Sequence, residues 1–359
     1  MGKIKFTDKS GSFVIENPEN YSGLYLPLAG EMGLKSNITP SMAGDAKTDQ
    51  NHFLLEPVSI ENLHNNKNGR NFWCRIEGNG IWSVSGASAL QEAEKFTASQ
   101  DESKIEAGLM WQKLTRISKK YGIKSEVLSF VPTDKNIEIM YVTLENTSDE
   151  SIKFTPVAAI PLYGRSADNI RDHRHVTSLL HRISTQEYGI EVSPVLSFDE
   201  RGHQKNSTTY FVYGSKEDGT KPETFYPTNE MFIGEGGSFL NPEAVRTVKE
   251  GVKAGAKIQG KEAVGALAFE SVELKAGEKT GYIVVTGITD DVLEIEKTTV
   301  LYRTKEAVLE CFENTKRHWV EKVNIDFEMN DDSVDNYLKW ICFQPILRRI
   351  YGCSFLPYH

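Results

Sequence analysis

Short runs rich in branched and aromatic side chains recur through positions 1–290. They fall at 13–16, 71–77, 81–85, 123–131, 137–144, 209–213, 263–269 and 281–287, and each has strand length and strand composition. Turn formers separate them at 77–80, 146–149, 217–219 and 276–278. Many short strands without interleaved helices predict a sandwich, with 272–285 read as a late hairpin. The pattern changes after Thr289. Val308, Phe312, Trp319 and Val323 fall close to one face of a helix. The polar, acidic interval 324–332 reads as a linker, and Ser333 as the cap of a second helix whose stripe is Val334, Tyr337, Leu338 and Ile341. Pro345 is expected to kink or end that helix. The expected units are therefore a sandwich over 1–289, a helical linker over 290–332 and the start of a further helical domain over 333–359. The bulky end at Phe355-Leu-Pro-Tyr-His359 reads as a domain cut soon after it starts. Trp340, Phe343, Ile346, Ile350 and Phe355 are then expected to form an exposed apolar surface.

Composition narrows the function classes. A net charge of −9 disfavours a general nucleic-acid binder, because the surface repels phosphate. No apolar run approaches the roughly 18 residues of a membrane span, and positions 1–8 lack the apolar segment of a signal peptide. Cys74, Cys311, Cys342 and Cys353 show no metal spacing and are expected to be reduced thiols of a cytoplasmic protein.

The densest polar stretch is 161–177. Between Arg165 and His175 it packs three arginines, two aspartates, two histidines and an asparagine, with no apolar period, so it reads as a loop. Strand-like segments flank it, and polar loops on a rigid scaffold are frequent binding elements. A salt-bridged surface turn is the plain alternative. His173 and His175 lack a third ligand at a metal spacing, and no Gly-x-Ser-x-Gly elbow marks a nucleophile. Two further segments, 36–53 and 62–73, mix amides, carboxylates, Arg70 and aromatic rings, a set that suits sugar hydroxyls and sugar faces. A structured loop satisfying its own backbone would use the same residues. Segment 197–203 reads as a hairpin turn, and Gly234–Gly237 as an irregular loop or an anion-binding nest.

Several of these motifs, in this order, resemble a known family. Leu26-Pro-Leu, Ser36-Asn-Ile-Thr-Pro, Gly44-Asp45, Asp49-Gln-Asn-His-Phe-Leu-Leu, Leu63-His-Asn and Arg70-Asn-Phe-Trp are similar to the N-terminal part of bacterial β-glucoside phosphorylases of glycoside hydrolase family 94. So are the loop from Tyr163 to His175, Gly234-Glu-Gly-Gly-Ser-Phe, and Tyr337-Leu-Lys-Trp-Ile with Gln344, Arg348 and Tyr351. The resemblance implies a mainly β chain: an N-terminal mutarotase-like β-sandwich, a helical linker, and the truncated start of an (α/α)6 barrel.

It also implies inverting phosphorolysis, in which phosphate attacks a β-glucoside to release α-glucose 1-phosphate and a shortened sugar. Inorganic phosphate would be a co-substrate and no other cofactor is implied. The barrel carries the family's catalytic acid, so no catalytic residue is assigned in this chain. The implied partners are a β-linked gluco-oligosaccharide, phosphate and a second copy of the chain in a homodimer. Arg165, Arg171, Arg174 and His175 are the candidate sugar contacts, oriented by Asp168, Asn169 and Asp172. Two other readings stay open: a non-catalytic carbohydrate-binding module or degenerate remnant, and a mutarotase-like epimerase for which His175 and Asp199 would supply base and acid.

Overall fold

Several central strands read as unbroken apolar runs because both of their faces are covered. In Ile137–Asn146, Met140 and Val142 face one core while Ile139 and Tyr141 face another. Lys279–Thr289 repeats the division, with Tyr282 and Val284 on one side and Ile283 and Val285 on the other. This double burial removes the polar alternation expected of a half-exposed strand. The structure is a computed structural model that describes residues 4–21, 23–58, 69–199, 202–247 and 249–352.

Two antiparallel sheets form the body. The larger has eleven strands, running from Lys5–Phe6 at one edge through Glu102–Gly108, Trp111–Ser118, Ile123–Phe130, Ile137–Asn146, Lys279–Thr289 and Thr209–Lys216 to Lys257–Gln259 at the other. The smaller sheet orders Thr224–Thr228, Ala263–Ala268, Ile152–Leu162, Asn71–Ile76 and Gly80–Ser83, with Val272–Leu274 added to Ile152–Leu162. Phe72, Cys74, Phe154, Leu267, Val142, Val212 and Tyr282 meet in the main core between them. The outer face of the small sheet, with Trp73, Val157 and Tyr226, is closed by Phe232, Ala244 and Val245 from two short helices.

The expected hairpin over 272–285 does not form. Val272–Leu274 pairs with Ile152–Phe154 in the small sheet, whereas Lys279 onward pairs with Ile137–Glu145 in the large one. The Ala276-Gly277-Glu278 turn therefore carries the chain between sheets, a choice set by the register of distant partners. Segment 26–55 is likewise more than a loop: Leu26–Ala29, Lys35–Ile38, Ala46–Asp49 and His52–Leu55 form a four-stranded meander. Gly44, at φ 113°, sits so close to the Asn37 carbonyl that an added Cβ would lie 2.0 Å from its oxygen. Ser36, Asn37, Asp45 and Lys47 of this meander turn inward. Arg70 and Glu138 form a buried ion pair, with side chains 1% and 2% exposed. Arg70 Nη2 donates to Glu138 Oε2 at 2.7 Å, and Ser36 Oγ donates to the same oxygen at 2.6 Å.

Helices follow the last sandwich strand. Leu293–Thr299 and Lys305–Val323 cover the outer face of the large sheet, where Ile295, Val308 and Phe312 pack on Trp111, Phe130 and Ile139. The second long helix, Asp332–Tyr351, is capped by Asp331, whose carboxylate accepts the Ser333 and Val334 amides at 2.9 and 3.4 Å. Asp331 thus takes the role expected of Ser333, because its side chain reaches the first free N–H groups. Pro345 lies inside this helix, which continues to Tyr351. Burial of Phe343 and Leu347 on either side holds the helix through the proline. The expected exposed surface is also corrected. Phe343 is fully buried, and Trp340, Ile346 and Ile350 pack with it against Ala29, Leu109 and Trp319, while Phe355 lies outside the described residues.

Candidate functional site

Strand Ile152–Leu162 runs straight into the polar segment, and its pairing continues past the strand end. Tyr163 N donates to Leu54 O at 2.8 Å, Gly164 N to Phe53 O at 3.0 Å, Phe53 N to Arg165 O at 2.9 Å and Ala167 N to Gln50 O at 2.8 Å. The segment is thereby fastened to the hairpin Ala46–Asp49/His52–Leu55. Phe53, Tyr163 and Ala167 seal the join as a small apolar cluster. Gly164 is needed at the bend: it has φ 59°, and an added Cβ would lie 3.3 Å from the Tyr210 ring. Beyond it the chain makes a 3-10 turn at Ala167–Arg171 and one helical turn at Arg174–Thr177. These turns carry no apolar period, which is why the segment reads as a loop from sequence.

The predicted residues separate into two layers. Arg165 lies in the lower one, its side chain 4% exposed, with Nη2 2.6 Å from Glu262 Oε1 and its guanidinium 5.2 Å from the Tyr163 ring centroid. Asn169 is also buried. It accepts from Ser166 Oγ at 3.1 Å and donates from Nδ2 to Asp172 Oδ2 at 2.8 Å, so it orients Asp172. Asp168, Asp172 and His173 are exposed in the upper layer. The side chains of Arg171, Arg174, His175 and Asp199 lie outside the described residues, as do His64, Asn65 and Asn66.

Two groups of this region were not singled out from the sequence. His181 is fully buried beneath Arg165, its ring close to the Gly164 and Lys261 backbone without a well-aligned hydrogen bond. Burial, followed by the Arg165 charge, pushes its pKa down to about 3, so near neutral pH it is uncharged and offers no acid proton to a substrate. Its place directly after Leu179-Leu180 was the available signal. Glu262, the partner of Arg165, lies 97 positions away and carried none.

A cleft of about 550 Å³ opens beside the hairpin tip. Asp49, His52, Asn136, Thr208, Asp290 and Glu294 contribute to its polar lining, with Phe211 and Ile288 among the apolar groups. His52 Nδ1 lies 2.9 Å from both Asp49 carboxylate oxygens, and this hydrogen bond raises the His52 pKa above its usual value against the opposing effect of burial. Thr208 Oγ1 donates to Asp290 Oδ1 at 2.7 Å. Carboxylates, an imidazole and hydroxyls around an aromatic side chain are a donor and acceptor set that polyols satisfy. Among the described residues, no group of three or more His, Cys, Asp or Glu side chains is placed to hold a metal ion, and no helix is long and apolar enough to cross a membrane.

Comparison with known proteins supplies the family. No curated protein sequence matches the chain. Among solved structures, a bacterial glucoamylase complexed with acarbose superposes with TM-score 0.51 at 8% identity, over 95% of this chain and 43% of that one. A putative kojibiose phosphorylase from the human microbiome gives TM-score 0.49 at 9% identity, over 96% and 42%. The chain thus spans less than half the length of either structure, and at these identities the glucoamylase match speaks for the fold alone. The family model for the supersandwich domain of glycosyl hydrolase 94 matches residues 41–305, a span that contains the fastened segment, its hairpin, the whole small sheet and the large sheet from Glu102–Gly108 to Lys257–Gln259. The chain belongs to the glycosyl hydrolase 94 supersandwich family.

Proposed function

We propose that this chain is the sandwich and helical-linker part of an inverting β-glucan disaccharide or oligosaccharide phosphorylase. The family match over 41–305 is the observation that carries this reading. In the proposed reaction a carboxylic acid outside the residues assigned here protonates the glycosidic oxygen. Phosphate attacks the anomeric carbon from the opposite face, giving α-glucose 1-phosphate and a sugar shortened by one unit.

The 163–175 segment serves the sugar side of that reaction, in a homodimer that brings it to the partner's active site. Asp168, Arg171, Asp172, Arg174 and His175 meet sugar hydroxyls. Arg165 and Asn169 are positioning residues: Arg165 locks the base of the segment to Glu262, and Asn169 holds the Asp172 carboxylate. Rigid support of this kind reduces the ordering cost of binding a flexible sugar.

The test is phosphate-dependent release of α-glucose 1-phosphate from a panel of β-linked glucobioses. It should be run on the protein from its native source, with acceptor affinity measured alongside. Activity with a tenfold rise in acceptor KM for Asp172→Ala, at little changed kcat, supports the reading. Sugar binding without phosphate-dependent turnover would replace it with a non-catalytic carbohydrate-binding module.

A further inference from the structure

A second cleft, of about 570 Å³, shares no lining residue with the first. It lies where the turn after strand Asn71–Ile76, the turn between Trp111–Ser118 and Ile123–Phe130, and the short helix Glu243–Thr247 converge. Strand alternation explains its most important group. Phe72, Cys74 and Ile76 point into the main core, so Trp73 and Arg75 point to the outer face of the small sheet. Trp73 is covered there by the Glu243–Thr247 helix, but Arg75 lies beyond that cover and lines the cleft with Arg246 and Lys120.

Three cations and no carboxylate line this cleft, in a chain whose net charge is −9. Glu94 lies 3.8 Å from Lys120 Nζ, and Glu243, one turn before Arg246 on the same helix, feels the Arg246 charge while its carboxylate pairs with Lys249 at 2.9 Å. Among the described residues, neither Arg75 nor Arg246 has a side-chain hydrogen bond or an ion pair within 4 Å. A concave site lined by three cations and no carboxylate concentrates anions, and the planar guanidinium fork matches the oxygens of a phosphate. The remaining lining is of another kind. Asn79 and Asn241 offer amide donors and acceptors, and Tyr121 offers a ring. Those groups suit hydroxyls and the apolar face of a sugar, and the volume falls within the range of small-molecule sites, about 300–1,000 Å³.

We propose that this cleft binds a phosphorylated sugar, with Arg75 and Arg246 on the phosphate and Asn79, Asn241 and Tyr121 on the sugar body. The recognition argument uses only this lining and does not depend on the phosphorylase reading. Calorimetric titration of the whole chain with α-glucose 1-phosphate, inorganic phosphate and glucose, each alone, tests it without requiring turnover. The expected result is saturable binding of α-glucose 1-phosphate, at least tenfold tighter than either other probe and weakened by added salt. Arg246→Gln and Arg75→Gln should each loosen it at least tenfold, and Lys120→Ala about two- to threefold. Arg246 is exposed on a short helix, so its variant decides the matter if Arg75→Gln fails to fold. Binding that survives Arg246→Gln overturns the proposal by placing the ligand elsewhere. Equal affinity for phosphate or for glucose, or no binding at all, overturns it as well.

Discussion

The two long helices dock on the same sandwich by different chemistry. Lys305–Val323 follows its apolar period: Val308, Trp319 and Val323 are buried, and Phe312 packs on Trp111 and Phe130. Asp332–Tyr351 docks through Trp340, Phe343 and Leu347 but departs from the stripe expected for its first half. Val334, Tyr337 and Ile341 are 40%, 62% and 47% exposed, while Asn336 and Lys339 are buried. The reason lies in the turn Asp8–Gly11, whose backbone needs partners. Asn336 Oδ1 accepts from Gly11 N and its Nδ2 donates to Asp8 O, both at 2.8 Å, and Trp340 Nε1 donates to Gly11 O at 2.8 Å. At the far end Tyr351 OH donates to Ser36 O at 2.7 Å, and Lys35 Nζ donates to Ile350 O at 2.8 Å. A buried backbone group left without a partner costs about 1–3 kcal/mol, so several such groups outweigh an apolar stripe of two or three residues. A helix finds its docking face by the needs of the surface it meets as well as by its own pattern.

The largest break in this contrast is expected at the seam that both helices share. Trp319 is fully buried and its ring centroid lies 6.1 Å from that of Phe343. Trp319→Ala and Phe343→Ala should each cost about 3–5 kcal/mol in urea unfolding, and a loss under about 1 kcal/mol would mean that the seam does not hold the helices. Asn336→Ala orphans the Gly11 amide and the Asp8 carbonyl, at roughly 1–3 kcal/mol. Its mark should be faster hydrogen exchange in Asp332–Tyr351 with the sandwich strands unchanged.

A smaller effect follows from Glu31, which reaches both helices through Lys322, His318 and Arg349. The hydrogen bond from Lys322, with the His318 hydrogen bond and the Lys322 and Arg349 charges, holds its carboxyl below the usual 4.5. The folded form therefore binds the Glu31 proton less readily than the unfolded chain. The stabilisation is complete above about pH 4.5 and is lost as pH falls through the lowered value. Stability measured from pH 6 to 3 should fall less steeply in Glu31→Gln than in the parent, and parallel curves would remove Glu31 from the tie. The least change is expected from Tyr337→Ser and Ile341→Gln on the exposed stripe, within about 0.5 kcal/mol. A cost above 2 kcal/mol at either position would show that the stripe is docked after all.

The candidate site was legible in part. Composition alone marks 163–175, because so many ionic groups in one stretch have no place in a strand. Its anchoring was hidden. The backbone ladder to Gln50, Phe53 and Leu54 involves segments more than 100 positions apart, and the Arg165–Glu262 pair spans 97. The same holds for the cleft proposed to take a sugar phosphate. Arg75, Lys120 and Arg246 belong to three unrelated stretches, each ordinary by itself.

Local sequence determined several central strands, among them Asn71–Ile76, Ile123–Phe130, Ile137–Asn146 and Lys279–Thr289, and the turns beside them, since branched residues and Gly-Asn punctuation act over a few positions, but not Glu102–Gly108, Trp111–Ser118 or the meander of 26–55. It also determined the mainly β character and the face on which Lys305–Val323 docks. Only the tertiary structure decided that Val272–Leu274 and Lys279–Thr289 belong to different sheets, that Ser36, Asn37, Asp45 and Lys47 of the meander turn inward, and that Asp332–Tyr351 buries Asn336 and Lys339 beside its apolar contacts while Val334, Tyr337 and Ile341 face outward. In each case the deciding quantity was the satisfaction of hydrogen-bonding groups brought in from elsewhere in the chain, and a pattern read along one segment carries no record of those partners.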